Sequence, residues 1–200
     1  MRKLLFLSVF FMSVLLVHAQ SGDRIFNPWK VDVSLGVALP QDGGGGGLFA
    51  AEPKYAIMDQ FWAGLRIEEA IMGRSFPNGD GTNSTKIMGS GSYVLTGDFY
   101  FTTTDFRPFI GVGGGIYRLA SGTIDDNSGG STTIAAATKL GALVRAGFEL
   151  GHFRMGVEYN LIGNSDQTLY DFNTGNTFTS TIKNGYIGIK AGIVFGGRRL

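Results

Sequence analysis

Charged residues recur at every second or fourth position inside otherwise apolar stretches of this chain, and ion pairing is the chemistry that this spacing supports. Lys30 and Asp32, Arg66 and Glu68, Arg145 and Glu149, and Arg154 and Glu158 repeat the arrangement, and Asp98, Arg118 and Lys190 stand singly in similar surroundings. In an extended backbone, residues two apart share a face, so each pair points the same way. Charges taken out of water are tolerated only where opposite signs meet. A structural network of Lys30, Asp32, Arg66, Glu68, Asp98, Arg118, Arg145, Glu149, Arg154, Glu158 and Lys190 is therefore expected on one side of a sheet. Glu52, Lys54 and Lys139 lie on the same parity.

Catalysis has less to work with. Beyond the first nineteen residues the one histidine is His152, held between Gly151 and Phe153 where a turn is expected. Acyl transfer needs a nucleophile with a base in reach, and His152 has no such setting. The chain has no cysteine, which excludes a disulfide, a thiolate metal site and a lipid-bearing thiol. The run Gly111-Val-Gly-Gly-Gly resembles a phosphate cradle in composition, but such a loop must open a helix, and here it sits in an alternating strand. Asp125, Asp126 and Asn127 offer oxygen ligands, yet they are also ordinary turn formers. No enzyme activity, cofactor or metal is expected. A formal net charge of +1 gives no reason to expect a nucleic-acid partner.

The elements that must position these charges are strands. The closing stretch Tyr186–Phe195 places Ile187, Ile189, Ala191, Ile193 and Phe195 on one parity and Lys190 with glycines on the other. That alternation marks a strand with two different solvents on its faces. Eight such strands are expected, over about 30–39, 49–57, 61–71, 90–101, 108–119, 136–150, 153–161 and 186–195. Long loops rich in Gly, Asn and Ser follow the odd strands, at 41–47, 73–86, 120–133 and 163–181. Short turns follow the even ones, at Asp59-Gln60, 102–107 and Gly151-His152. In the fifth strand Phe109, Gly111, Gly113, Gly115, Tyr117 and Leu119 are read as outward. Pro53 should mark a bulge or a ladder break. Glu69 falls on the apolar parity. Either a bulge resets the strand there, or Glu69 lies above an apolar band.

Residues 1–19 form a separate segment: Arg2 and Lys3, an apolar run from Leu4 to Val17, and Val17-His18-Ala19 as a small-x-small site. This is the pattern of a cleaved secretory signal, leaving Gln20 first and one domain over 20–200. No later apolar run is long enough for a helical span, so a membrane crossing must be made of strands closed into a barrel. The fold expected is all-β, an eight-stranded antiparallel up-and-down transmembrane barrel. Its apolar parity faces lipid, and its charges fill a lumen that eight strands leave just wide enough for side chains. Phe61, Phe99, Phe101, Phe109, Phe148, Phe153 and Phe195 lie at the short-turn ends, where they would make an aromatic girdle at one water–lipid boundary.

The Arg107-Pro-Phe-Ile-Gly-Val-Gly-Gly-Gly strand start and the closing Gly188-Ile-Lys-Ala-Gly-Ile-Val-Phe195 resemble the small outer-membrane β-barrel proteins of the OmpX, OmpW and OmpA-barrel kind. The resemblance covers the chain after residue 19. It implies an integral monomer in the outer membrane of a Gram-negative-type bacterium, in contact with outer-membrane lipid, with long loops outside and short turns in the periplasm. In that family the barrel assembly machinery reads an aromatic at the end of the last strand. Phe195 matches in type, although Gly196–Leu200 follow it. Family members are structural, adhesive or weakly pore-forming, and none of their sites carries over to particular residues here. The expectation is a structural or surface-interaction role, with a surface ligand at the loops. Two alternatives stand beside it: a narrow channel for small hydrophobic solutes, and a soluble secreted lipocalin-like barrel with the parity inverted.

Overall fold

The computed structural model describes residues 27–41, 43–77, 83–120, 122–125, 131–134, 137–171 and 176–197. The expected signal at 1–19, the start at Gln20, and Asp126 with Asn127 lie outside the described residues. Twelve strands follow in chain order: β1 Trp29–Pro40, β2 Gly45–Met58, β3 Phe61–Pro77, β4 Asn83–Tyr100, β5 Phe106–Leu119, β6 Gly122–Asp125, β7 Ser131–Ile134, β8 Ala137–Leu150, β9 Phe153–Ile162, β10 Ser165–Asp171, β11 Asn176–Ile182 and β12 Tyr186–Gly196. Eight of them close a barrel in the order β1-β12-β9-β8-β5-β4-β3-β2, every pair antiparallel. The chain is an all-β, eight-stranded, up-and-down barrel. β6–β7 and β10–β11 form separate hairpins inside two of the long connections.

The period-two pattern sets which face each residue takes. In β12, Ile187, Ile189, Ile193 and Phe195 are exposed while Tyr186, Gly188 and Val194 are buried. Leu35, Val112, Leu95 and Leu140 are 66, 63, 70 and 80 % exposed. Soluble monomers rarely show contiguous apolar patches beyond a few hundred Å². Here apolar side chains are exposed on all eight barrel strands, the surface of a body meant for hydrocarbon.

The connections are shorter and more regular than the sequence suggests. Gly45, Gly46 and Gly47 belong to β2 and pair with β3, so the first connection is only 41–44. Glycine is needed there because a Cβ on Gly46 would sit 1.9 Å from the Ile71 carbonyl oxygen. The segment 73–86, read as a loop, is largely ladder: β3 and β4 stay paired out to Pro77 and Asn83. The segment is rich in Gly, Asn, Ser and Thr and has no apolar alternation to mark it as strand. The connections read as loops at 120–133 and 163–181 likewise give way to β6–β7 and β10–β11.

β5 corrects the expected parity. Phe109 is 3 % exposed and Tyr117 is fully buried, whereas Ile110, Val112, Ile116 and Arg118 face outward. Phe109 therefore leaves the girdle and Arg118 leaves the lumen. The misreading came from counting glycines as apolar. They face inward because the lumen beside them is already full: a Cβ on Gly111 would lie 2.2 Å from Asp98 Oδ1 and 3.0 Å from Arg145 Nε. Arg107 on the same parity, buried against Glu149, was the signal available in the sequence.

Two further irregularities resolve. The register runs unbroken through Glu69 on both sides, so no bulge lies there, and its side chain points outward. The β2–β3 ladder is interrupted between the pairs Ala51–Ile67 and Lys54–Gly64 with its register unchanged, as a proline lacking its N–H requires. The bulge in that ladder comes later, between Ala56 and Met58.

The inward glycines also make a testable contrast. A Cβ on Gly115 would sit 2.1 Å from the Tyr93 carbonyl oxygen and 2.6 Å from Val94 Cα, whereas one on outward Gly114 meets nothing nearer than 4.0 Å. Gly115→Val is expected to destabilise the barrel by about 1–3 kcal/mol through overpacking, and Gly114→Val by much less. Denaturant midpoints of the two variants refolded in micelles check the difference, and equal midpoints would contradict it.

Candidate functional site

The lumen is built in layers. At the short-turn end Trp62, Tyr100 and Phe109 form a buried aromatic floor. Lys30 lies on it, its Nζ 4.4 Å from the Trp62 ring and 4.5 Å from the Tyr100 ring, an arrangement in which the ring quadrupoles attract the ammonium. The same Nζ donates to Glu149 Oε2 at 2.7 Å and to Tyr100 Oη at 2.8 Å. Arg107 pairs with the other oxygen of Glu149.

Asp98 centres the next layer. Its Oδ1 accepts from Arg145 Nε at 2.7 Å, and its Oδ2 accepts from Lys54 Nζ at 2.7 Å and Arg154 Nη2 at 2.9 Å. Arg145 also forks onto both oxygens of Glu52, at 2.8 and 2.7 Å, the bidentate geometry that suits a planar guanidinium. Lys54 pairs with Asp32 as well, and the Arg154 guanidinium stacks 3.7 Å from the Phe109 ring centre.

The third layer gathers around Arg66, which pairs with Glu158 and donates to Asn160 at 3.0 Å, Ser92 at 3.2 Å and Tyr117 at 3.3 Å. Lys190 bridges Glu158 at 2.6 Å and Glu68 at 2.9 Å, and Tyr186 Oη donates to Glu68 at 2.6 Å. Ala38, Leu48, Ala70, Met72, Val94, Leu143 and Ile162 then make an apolar layer toward the long-loop end.

Register explains why these charges reach across the lumen. Lys30 stands directly opposite Lys54, and Asp32 opposite Glu52. Like charges facing each other across a ladder are destabilising. Within the β1–β2 pair only Lys54 and Asp32 meet diagonally, and the remaining charge is satisfied by Glu149 on β8, Asp98 on β4, Arg145 on β8 and Arg154 on β9. Closure of the barrel brings those partners within reach. Seven cations (Lys30, Lys54, Arg66, Arg107, Arg145, Arg154, Lys190) meet six carboxylates (Asp32, Glu52, Glu68, Asp98, Glu149, Glu158) among the described residues.

Between the second and third layers lies a cavity of about 30 Å³ lined by Asp32, Glu52, Arg145, Arg154, Glu158 and Lys190. That is room for about two waters. Asp32, whose Oδ1 accepts no hydrogen bond from the described residues, is part of the cavity's lining.

Ten of the eleven charged residues singled out in the sequence meet in these layers, and Arg118 does not. Lys139 is half-buried on the inward parity. Sequence reading passed over Arg107, Asn160 and the tyrosines 117 and 186, whose hydroxyls complete the network. Tyrosine passes for apolar in a pattern search, although a buried hydroxyl needs a partner.

At the short-turn end Phe61, Phe99, Phe101, Phe148, Phe153 and Phe195 lie on the outer surface. Phe106 and Trp29, 50 and 63 % exposed, join them. Trp29 packs edge-on against Tyr55 at 4.8 Å, Phe99 against Phe101 at 5.6 Å, and Phe148 lies between Phe106 and Phe153 at 5.6 and 6.2 Å. Trp29 was missed because β1 starts one residue earlier than its alternation suggests.

No family profile and no curated protein sequence matches the chain. Solved structures do. The chain is similar to the outer membrane protein OprG from Pseudomonas aeruginosa, with a TM-score of 0.54 and 9 % identity over 87 % of this chain and 99 % of that one. Neisserial surface protein A aligns with a TM-score of 0.49 and 17 % identity, over 85 % of this chain and 97 % of its own. The fold is that of the small outer-membrane β-barrels.

Proposed function

We propose that this chain is an integral protein of a Gram-negative-type outer membrane with a non-enzymatic role, structural or in surface interaction, exercised through the hairpins beyond its apolar band. The observation that carries the reading is the filled lumen. Three ion-paired layers lie between an aromatic floor and an apolar layer, and the cavity between them has room only for water. What remains available to partners is the long-loop end, where β3–β4, β6–β7 and β10–β11 offer paired backbone beyond the barrel wall. A surface ligand would meet the protein there. The last strand, ending near Phe195, would be the segment offered to the barrel assembly machinery, and the barrel would act as a monomer.

Two rival readings fare worse. A channel for small hydrophobic solutes calls for an apolar funnel and a lateral gap, whereas all eight strand pairs here are laddered and the lumen is ionic. A lipocalin-like calyx calls for an apolar interior, and this barrel has the opposite parity.

Fractionation and electrical recording test the proposal. The protein is expected in the membrane pellet, resistant to alkaline extraction, and silent in a planar bilayer after refolding. Recovery in buffer without detergent would overturn the membrane reading, and stepwise conductance would revive the channel.

A further inference from the structure

β12 ends on a turn into the mouth of the lumen. The last register pair between the first and last barrel strands is Lys30–Gly196. Gly196 and Gly197 then take φ of +81° and +62°, a left-handed path that favours glycine. Gly197 N donates to the Trp29 carbonyl oxygen at 2.8 Å. This path carries the backbone off the wall and against the lumen. Gly197 is buried, and a Cβ on it would lie 2.9 Å from Lys30 Cδ and 3.3 Å from Trp62 Cη2.

Those two neighbours stand where a cover is needed. Trp62 is the second residue of β3 and Lys30 the second of β1, so both sit at the short-turn rim, where water reaches a side chain first. Trp62 is nonetheless fully buried, and Lys30 is 2 % exposed. Trp62, Tyr100 and Phe109 close the mouth as the aromatic floor, and Gly197 lies at its β1 margin. Glycine is required on the way in, because a Cβ on Gly196 would stand 2.5 Å from the Trp29 carbonyl oxygen.

We propose that Gly196 and Gly197 form a strap that shuts the short-turn mouth and keeps water and small ions from the Lys30–Glu149 pair. What holds the strap sets it apart from the wall. Ladders join all eight barrel strands, whereas Gly197 lies beyond the ladder, held by its bond to Trp29 and by packing on Lys30 and Trp62. The strap is therefore a part of the mouth that can lift without parting two strands. The inference rests on the filled lumen argued above and names the end at which that lumen can open.

Iodide quenching of Trp62 tests it, in protein refolded in micelles. Trp29→Phe is the background, which leaves Trp62 the one tryptophan. Iodide suits the site: the two layers nearest this mouth hold five cations (Lys30, Lys54, Arg107, Arg145, Arg154) and four carboxylates (Asp32, Glu52, Asp98, Glu149), and a cationic surplus draws an anion in. With the strap intact Trp62 is expected to be quenched severalfold less than in urea. Gly196→Val should raise the quenching severalfold. Gly197→Val, whose Cβ would press on the flexible Lys30 stem and not on backbone, should do the same with less strain on the wall. Gly43→Val and Gly151→Val impose a positive φ on valine where a Cβ meets nothing within 4 Å, and should leave Trp62 shielded. Each variant's folding is checked by its heat-dependent gel shift. Trp62 quenched as readily with the strap intact as in urea, or still shielded in folded Gly196→Val and Gly197→Val, would overturn the proposal. So would an equal rise in Gly151→Val, which would mean that any strain at this end wets the mouth. Stepwise conductance of the unaltered barrel would instead refute the filled lumen.

Discussion

Asp98→Ala is expected to destabilise the folded barrel by about 3–5 kcal/mol, the usual cost of removing one partner from a buried ionic cluster. Asp98 has no exposed surface and accepts from Lys54, Arg145 and Arg154 at once. Its loss leaves Glu52 and Asp32 to answer the three cations, in a space closed to bulk water by the aromatic floor below. Shape contributes little, since the side chain is small and the neighbouring glycine at 111 leaves slack once the carboxylate is gone. Asp98→Asn separates the two effects: it keeps the volume and removes the charge, so it should cost nearly as much as alanine. Combining Asp98→Asn with Lys54→Met removes one cation with the anion and should recover part of the loss. Urea titration of protein refolded in micelles, followed by the fluorescence of Trp29 and Trp62, reads all three. A midpoint for Asp98→Ala unchanged from the parent would mean that the lumen is wet enough to solvate these ions, and the sealed-lumen reading would fall with it.

The same network shows what the sequence made legible and what it hid. Alternation in Tyr186–Phe195 suffices to assign both faces of β12, because its apolar parity carries three isoleucines and a phenylalanine while the other carries a lysine. It failed in β5, where glycine dominates one parity and carries no preference for water or lipid. The inward choice there is made by neighbours on β4 and β8, whose Asp98 and Arg145 fill the space a side chain would take. That information is tertiary. The hairpin extensions were hidden for a different reason: their many Gly, Asn, Ser and Thr residues leave no apolar alternation to count, so 73–86 and 163–181 read as loop. Partner choice was also out of reach. Parity puts Lys30 and Lys54 on one face, but only the register and the closure of the barrel show that Lys30 meets Glu149 while Lys54 joins Asp32 and Asp98.

Direction and depth together decide whether a charge survives in this wall, and Ile189 tests that claim. It is 36 % exposed on β12, flanked in register by Val37 and Val157, both 50 % exposed. Six residues separate it from Phe195 in the girdle, or about 16 Å along the axis at ~3.4 Å per residue and ~40° tilt, well inside the ~25 Å apolar band. Ile189→Arg is expected to cost about 2–4 kcal/mol in a lipid vesicle. Ile71→Arg, on the outer surface two residues beyond Glu69, should cost only ~0–1 kcal/mol because the headgroup level is reached there. The neighbouring Lys190 holds a cation at the same depth as Ile189 without that penalty, because its parity turns it inward to Glu68 and Glu158. Unfolding free energies for the two arginine variants in vesicles compare the positions directly. Equal small costs would mean that Ile189 does not face hydrocarbon. Equal large ones would mean that the apolar band extends past Ile71.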